Sequence, residues 1–145
     1  MRLENKVIII TGSTTGIGKA IAIRCVQEGA KVIVHGLEET LGKEVVNEIG
    51  EQHACLHIED LSIDGAPKRL VETAINRFGK LDAIVNNAAI VASSNIQSTD
   101  KEFMQHLLDV NTIAPFLLIK EGLPHLTLQR GCVLNIGSVN AYSGE

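Results

Sequence analysis

The sequence contains no tryptophan, one tyrosine, three phenylalanines and three cysteines in 145 residues. So little aromatic material leaves a core of Ile, Val, Leu and Ala, which suits a parallel α/β sheet better than a β-sandwich. The cysteines, Cys25, Cys55 and Cys132, are odd in number and lack metal-ligand spacing, so neither a disulfide framework nor a zinc site is expected. They read as reduced, buried thiols in a cytoplasmic protein. Basic residues are not in excess: the net charge of −4 provides no electrostatic footprint for nucleic acid or an anionic membrane. No apolar run is long enough to span a bilayer. Met1 to Lys6 leads straight into a strand, without a signal-peptide pattern. Linkers, repeats and low-complexity tracts are lacking too, and the length suits one domain over 1–145. His53 and His57 would share one face of a strand, but no third ligand accompanies them, so no metal site is expected. His106 and His125 read as surface residues of a helix.

What the chain does have is Val7 to Gly18, VIIITGSTTGIG. Val7 to Ile10 is a short uninterrupted apolar run, as expected of a parallel strand buried on both faces. A glycine-rich turn follows, and a helix begins near Ile17. Strand, turn and helix in this order present backbone N–H groups and the positive end of a helix dipole to a phosphate. Glycines belong where a Cβ would forbid the turn or hold the phosphate away. A Walker loop is excluded, because Gly18-Lys19 is followed by Ala20 and no hydroxyl is left for a magnesium ion.

Beyond the turn, Ile17–Glu28 is apolar around most of its circumference, and Gly29 stops it. Lys31–His35 reads as the second strand. A helix over Glu39–Glu51 carries Leu41, Val45 and Ile49 at i, i+4 spacing. Ala54–Ile58 is a weaker third strand, ending at Glu59-Asp60-Leu61. The helix after Pro67 carries Leu70, Val71, Ala74, Ile75 and Phe78 on one side, and Gly79 closes it. Ala83–Val85 is the fourth strand and delivers Asn86-Asn87-Ala88-Ala89. A polar stretch from Ser93 leads to a long helix over Asp100–Leu128, and Cys132–Ile136 is a fifth strand ending at Gly137-Ser138. This alternation implies right-handed crossovers and an α/β, doubly wound parallel sheet with helices on both faces. In such a sheet ligands bind beyond the C-terminal strand ends. The glycine turn, Gly36, Asp60, Asn86 to Ala89 and Ser138 all fall there.

Five segments at these intervals, Thr11–Gly18, Asp60-Leu61, Asn86–Ala89, Asn111 and Asn135-Ile136-Gly137-Ser138, resemble the short-chain dehydrogenase/reductase family over the whole chain. The resemblance implies a Rossmann-type fold and hydride transfer between NAD or NADP and a carbonyl or alcohol substrate. It implies that Gly12, Ser13, Thr15, Gly16 and Gly18 form the pyrophosphate turn, with Ile17 beneath the cofactor. It places Asp60, with Leu61, at the adenine amino group and Asn87, Ala88 and Ala89 beside the adenine-linked ribose. The family pattern usually has glycine where Ala89 stands. A helix N-cap or a turn carboxylate is the plainer reading of Asp60.

Asn111 would lie inside the long helix, where asparagine has poor propensity, and Pro115 removes the amide its carbonyl would otherwise bond. The resemblance implies that the helix is widened there and that the Asn111 carbonyl holds a water of a proton relay. It also implies that Ser138 polarises the substrate carbonyl and supports a tyrosine acid/base, whose pKa a lysine four residues later lowers. That Tyr-x-x-x-Lys pair is expected about a dozen residues after Ser138. Tyr142 is too close, and no lysine follows Lys120. The expectation is therefore a Rossmann sheet truncated after the fifth strand, with an exposed edge at Cys132–Ile136. The long helix is then expected to bare Phe103, Leu107, Val110, Ala114, Leu117 and Leu118. The alternative is a non-catalytic nucleotide-binding or dimerisation module that ends at Glu145.

Cofactor choice is read at the end of the second strand, where an acid grips the 2′-hydroxyl of NAD and an arginine the 2′-phosphate of NADP. Gly36 stands at the usual acid position and Leu37 where arginine is common in NADP-preferring relatives. Glu38 and Glu39 lie close by and shift the balance toward NAD. The partners expected are a nicotinamide dinucleotide and a small carbonyl or alcohol substrate. By resemblance, the 100–128 helix would build a homodimer or homotetramer.

Overall fold

The computed structural model describes residues 1–91 and 95–139. Tyr142 and Glu145 lie outside the described residues, as does the start of the polar stretch at Ser93. Five parallel strands form one sheet in the order β3-β2-β1-β4-β5. They are β1 (Val7–Ile10), β2 (Lys31–Gly36), β3 (Ala54–Ile58), β4 (Ala83–Asn86) and β5 (Cys132–Asn135). The helices between them are α1 (Gly16–Gln27), α2 (Glu39–Ile49) and α3 (Ala66–Phe78). A longer helical crossover joins β4 to β5, comprising α4 (Lys101–Leu108), a π segment (Asp109–Ile113) and α5 (Ala114–Gln129).

The doubly wound arrangement is written in β1. Its alternate residues go to opposite faces, so Val7 and Ile9 join Leu70, Ala74 and Leu118 from α3 and α5. Ile8 and Ile10 join Ala22 and Val45 from α1 and α2. All four β1 residues are buried, which explains the unbroken apolar run. At the opposite end of the strands from their C-termini, the buried Asp82 carboxylate accepts the Val7 amide at 2.9 Å and pairs with Lys6 and Lys80.

Local chemistry sets the helix ends. Gly29 and Gly79, at φ +94° and +78°, follow α1 and α3, where a left-handed residue can close a helix without a Cβ penalty. Asp100 caps α4 by accepting the Phe103 amide at 2.8 Å. The π segment follows from Pro115: without an amide there, the Asn111 carbonyl loses its i+4 donor. The ladder widens, and the Ala114 N–H donates to the Asp109 carbonyl five residues back.

The crossover corrects one expectation. Val110, Ala114 and Leu118 are buried, the last two because α5 lies against α3 and β4, while Phe103, Leu107 and Leu117 are half-buried. The large apolar residues that these helical segments leave exposed are Met104, Leu108, Ile113, Phe116, Leu123 and Leu128. The cysteines require another correction. Cys25 and Cys55 are half-buried, and Cys132 is exposed because β5 is an edge strand with little covering it. His125 is half-buried rather than on the surface, whereas His106 is exposed. Among the described residues, no helix is long and apolar enough to cross a membrane, and no group of His, Cys, Asp or Glu is placed to hold a metal ion.

Candidate nucleotide-binding site

The chain passes from β1 to β2 on one side and returns to β4 on the other, so the strand order reverses between β1 and β4. Crossovers diverge there and leave a crevice beyond the strand ends. A cleft of about 510 Å³ occupies this position. Gly12, Thr15, Gly16 and Ile17 line it from the turn, and Gly36 and Leu37 from the end of β2. Asp60 and Leu61 line it beyond β3, and Asn87, Ala88 and Ala89 beyond β4.

Two hydrogen-bonded seams hold the turn in place. On the β4 side, the Thr11 hydroxyl oxygen accepts the amides of Asn87 and Ala88, both at 2.9 Å. The Asn87 side-chain amide donates back to the Thr11 and Gly12 carbonyls at 3.0 and 3.1 Å. On the β2 side, Ser13 N–H donates to the His35 carbonyl at 2.7 Å, and the Ser13 hydroxyl accepts the His35 amide at 3.0 Å. Ser13 is therefore fully buried behind the turn, its hydroxyl donating to the Ile10 carbonyl. The structure removes it from the cleft wall, contrary to the sequence expectation.

Gly18 is also off the cleft wall, and its reason is packing. A Cβ there would stand 2.2 Å from the Gly12 carbonyl oxygen and 2.6 Å from the Asn87 amide nitrogen. Gly16 has the opposite surroundings: its φ is +55°, and nothing lies within 4 Å of a built Cβ. One glycine admits the helix to the turn, and the other leaves the cleft open.

Helix α1 presents its N-terminus to this cleft. Thr15, at its N-cap, makes no side-chain cap, and the first turn holds no acid. The amides of Gly16, Ile17 and Gly18 have no intrahelical acceptor. Ile17 and Leu37, at 65% and 66% exposure, hold bare apolar side chains over the same space. Such a wall can take an anion at the helix end and flat apolar surface beside it.

At the far end, Asp60 Oδ1 accepts both the Ser62 amide and hydroxyl at 2.8 Å, an Asx turn that holds its carboxyl below the usual range. Glu38 lines the cleft, whereas Glu39 does not and is paired with Lys43 at 2.7 Å. Ala89 is not among the residues with positive φ, so alanine needs no glycine-only conformation there.

Asn111 and Ser138 do not line the cleft. Asn111 lies in the π segment, and Ser138 is exposed just beyond β5. The Asn111 side chain instead clamps the backbone of Ile90, whose own side lines the cleft. Sequence reasoning missed this clamp, and it missed His35, Leu41 and His106 on the cleft wall. His35 carried a signal: a polar residue closing an apolar strand at its C-terminal end.

The family model described as short chain dehydrogenase matches residues 6–145. This chain belongs to the short-chain dehydrogenase family. Its relatives include an uncharacterized oxidoreductase of Thermotoga maritima, 36% identical over 141 residues, covering 95% of this chain and 55% of the relative. An NADP-dependent (R)-specific alcohol dehydrogenase of Lentilactobacillus kefiri is 32% identical, covering 99% of this chain and 58% of that one. Among solved structures, a short-chain dehydrogenase/reductase of Brucella melitensis, named as a glucose/ribitol dehydrogenase, superposes with a TM-score of 0.93 at 25% identity. That match covers all of this chain and 61% of the other. This short-chain dehydrogenase chain thus spans little more than half the length of these relatives.

Proposed function

We propose that this chain binds a nicotinamide dinucleotide and forms the cofactor half of an oxidoreductase acting on a small carbonyl or alcohol substrate. One observation carries the reading: an uncapped helix N-terminus opens into the switch-point cleft between two exposed apolar side chains.

The residues present fit such a group. Gly16 keeps the approach to the α1 amides clear, and those amides and the helix dipole would hold the pyrophosphate. Ile17 and Leu37 would cover apolar faces of the nucleotide. Asp60, with Oδ1 engaged by Ser62, would accept the adenine amino group through Oδ2. Glu38, on the cleft wall without a basic neighbour at Leu37, supports NAD over NADP. When bound, the nicotinamide ring supplies or accepts the hydride. Ser138 would polarise the substrate carbonyl, and the Asn111 carbonyl, released by the π segment, would hold a water for proton transfer.

A Tyr-x-x-x-Lys pair is not among the 145 residues. We therefore propose that this chain by itself binds the nucleotide without turning it over. The apolar face of Met104, Leu108, Phe116 and Leu123 supports an oligomer built through α4 and α5.

The test is titration of the folded chain with NADH and NADPH, followed by nucleotide fluorescence, alongside an assay of hydride transfer to small ketones and aldehydes. Saturable binding with NADH preferred is expected. Binding of neither nucleotide would overturn the cofactor reading. Turnover by a homogeneous chain of 15.6 kDa would overturn the claim that the missing pair is essential.

A further inference from the structure

Six amides of the phosphate turn fall into two sets. Those of Thr11, Gly12 and Ser13 point into the fold and are bonded to Val85, the His35 ring and the His35 carbonyl. Those of Gly16, Ile17 and Gly18 stand at the open helix end. The boundary between the sets decides which amides meet an anion, and His35 sits at that boundary.

Its ring is 3% exposed and bonded at both nitrogens. Gly12 N–H donates to Nδ1 at 3.2 Å, and Nε2 lies 2.9 Å from the Glu59 carbonyl oxygen. A backbone amide only donates and a carbonyl only accepts, so these contacts fix the tautomer. Nδ1 is bare, and Nε2 holds the proton. Burial works in the same direction, pushing the imidazole pKa down to about 4 and keeping the ring neutral. The groups facing it are His57, stacked at 6.1 Å between ring centroids, the Glu59 carboxylate, and Asp60 beyond it. His57 is tied to Thr73 and Glu59, Glu59 to Arg69, and Asp60 has His106 of α4 nearby. The turn itself, Thr11 to Gly18, brings no titratable group.

We infer that His35 is a positioning residue: as the neutral Nε2–H tautomer it draws the Gly12 amide inward and ties the phosphate turn to the segment that carries Asp60. It sets the geometry at both ends of the nucleotide cleft without touching the reacting atoms. The inference rests on the nucleotide reading of the cleft, but its structural half can be read in the nucleotide-free protein.

Three variants separate the two ring contacts. In His35→Asn, Oδ1 takes the place of Nδ1 and can accept the Gly12 amide. In His35→Gln, the amide reaches toward the Glu59 carbonyl, but a methylene replaces the ring atom that held the acceptor. His35→Leu removes both contacts. NADH affinity is expected to fall about ten-fold in the Leu and Gln variants, as when a buried donor loses its acceptor, and to stay within about three-fold in the Asn variant. In ¹⁵N spectra of the wild-type protein, His35 Nδ1 should be unprotonated and Nε2 protonated. Exchange of the Gly12 amide should be slow in wild type and His35→Asn, and fast in the other two.

A proton on Nδ1 would overturn the inference. So would equal NADH binding by the Gln and Asn variants, or Gly12 exchange that ignores the substitution. If the wild-type chain binds no nucleotide, the cofactor reading fails, while the tautomer and the Gly12 exchange still decide the role of His35.

Discussion

Asn111 grips Ile90 by both of its backbone groups: Oδ1 accepts the Ile90 amide at 2.8 Å, and Nδ2 donates to the Ile90 carbonyl at 2.9 Å. The π segment thereby fastens the chain leaving β4, where Asn87 to Ile90 form the cleft wall. Asn111→Leu removes both bonds and should destabilise the fold by about 1 kcal/mol, the net worth of exposed pairs of this kind. Asn111→Asp keeps the acceptor and should cost less. Urea unfolding measures both, and equal stability of Leu and Asp variants would refute the clamp.

The glycines separate packing from binding. Gly18→Ala forces a methyl onto the Gly12 carbonyl and should cost roughly 2 kcal/mol or more, with loss of nucleotide binding. Gly16→Ala and Gly79→Ala each place alanine at positive φ in open space and should cost about 1 kcal/mol of stability. Only Gly16→Ala should also weaken NADH binding, because only its methyl would enter the cleft. Identical binding by these two variants would count against Gly16 as the anion's door.

Acid should loosen the fold through His35. Its folded pKa is about 4 against an ordinary 6.5, so the unfolded chain binds the extra proton in that interval. The contribution is complete above pH 6.5, declines below it, and is gone below pH 4, a loss of roughly 3 kcal/mol. Urea midpoints at pH 7.5, 5.5 and 4.5 should fall in that order for wild type. His35→Asn should show a shallower fall.

Asp82 acts in a lower window and at the other end of the sheet. Burial raises its pKa, but the Val7 amide and the Lys80 and Lys6 ammonium groups outweigh that and hold the carboxyl below its ordinary value. Its contribution is therefore present above the ordinary carboxylate pKa and is lost as pH falls through the lowered one. Asp82→Ala should cost about 2 kcal/mol by stranding the Val7 amide. NADH affinity of the folded variant should not change, and a large change would show the strand ends to be coupled.

Cofactor preference should turn on Leu37 and Glu38, not on Glu39, which Lys43 already pairs. Leu37→Arg combined with Glu38→Gln should tighten NADPH binding about ten-fold, the gain of one charged pair in a partly enclosed site. Fluorescence titration with both nucleotides reads the ratio. An unaltered ratio would exclude these side chains from the 2′ position.

Much of this was legible along the chain. Val7 to Ile10 identified a buried parallel strand because a sheet covered on both faces leaves no position for a polar side chain. Pro115 exposed the weak point of the long helix, since a missing amide is a local covalent fact. The inner and outer faces of α4 and α5 were not legible. Val110, Ala114 and Leu118 form an apolar stripe that looked in need of a neighbour; α3 and β4 provide one for Ala114 and Leu118, and Val110 is buried beside the cleft. Ser13 was assigned to the ligand by its place in the motif, yet its hydroxyl serves Ile10 and His35.

The sequence by itself determined the order of elements, the glycine turn and the family, because periodicity, glycine spacing and proline act over a few residues. Only the tertiary structure decided which amides of that turn stay open. That depends on the His35 ring and carbonyl reaching the Gly12 and Ser13 amides, and on the Val85 carbonyl reaching the Thr11 amide, contacts between strands far apart in the chain. A hydrogen bond needs its two atoms within about 3 Å, and only the assembled sheet fixes such distances.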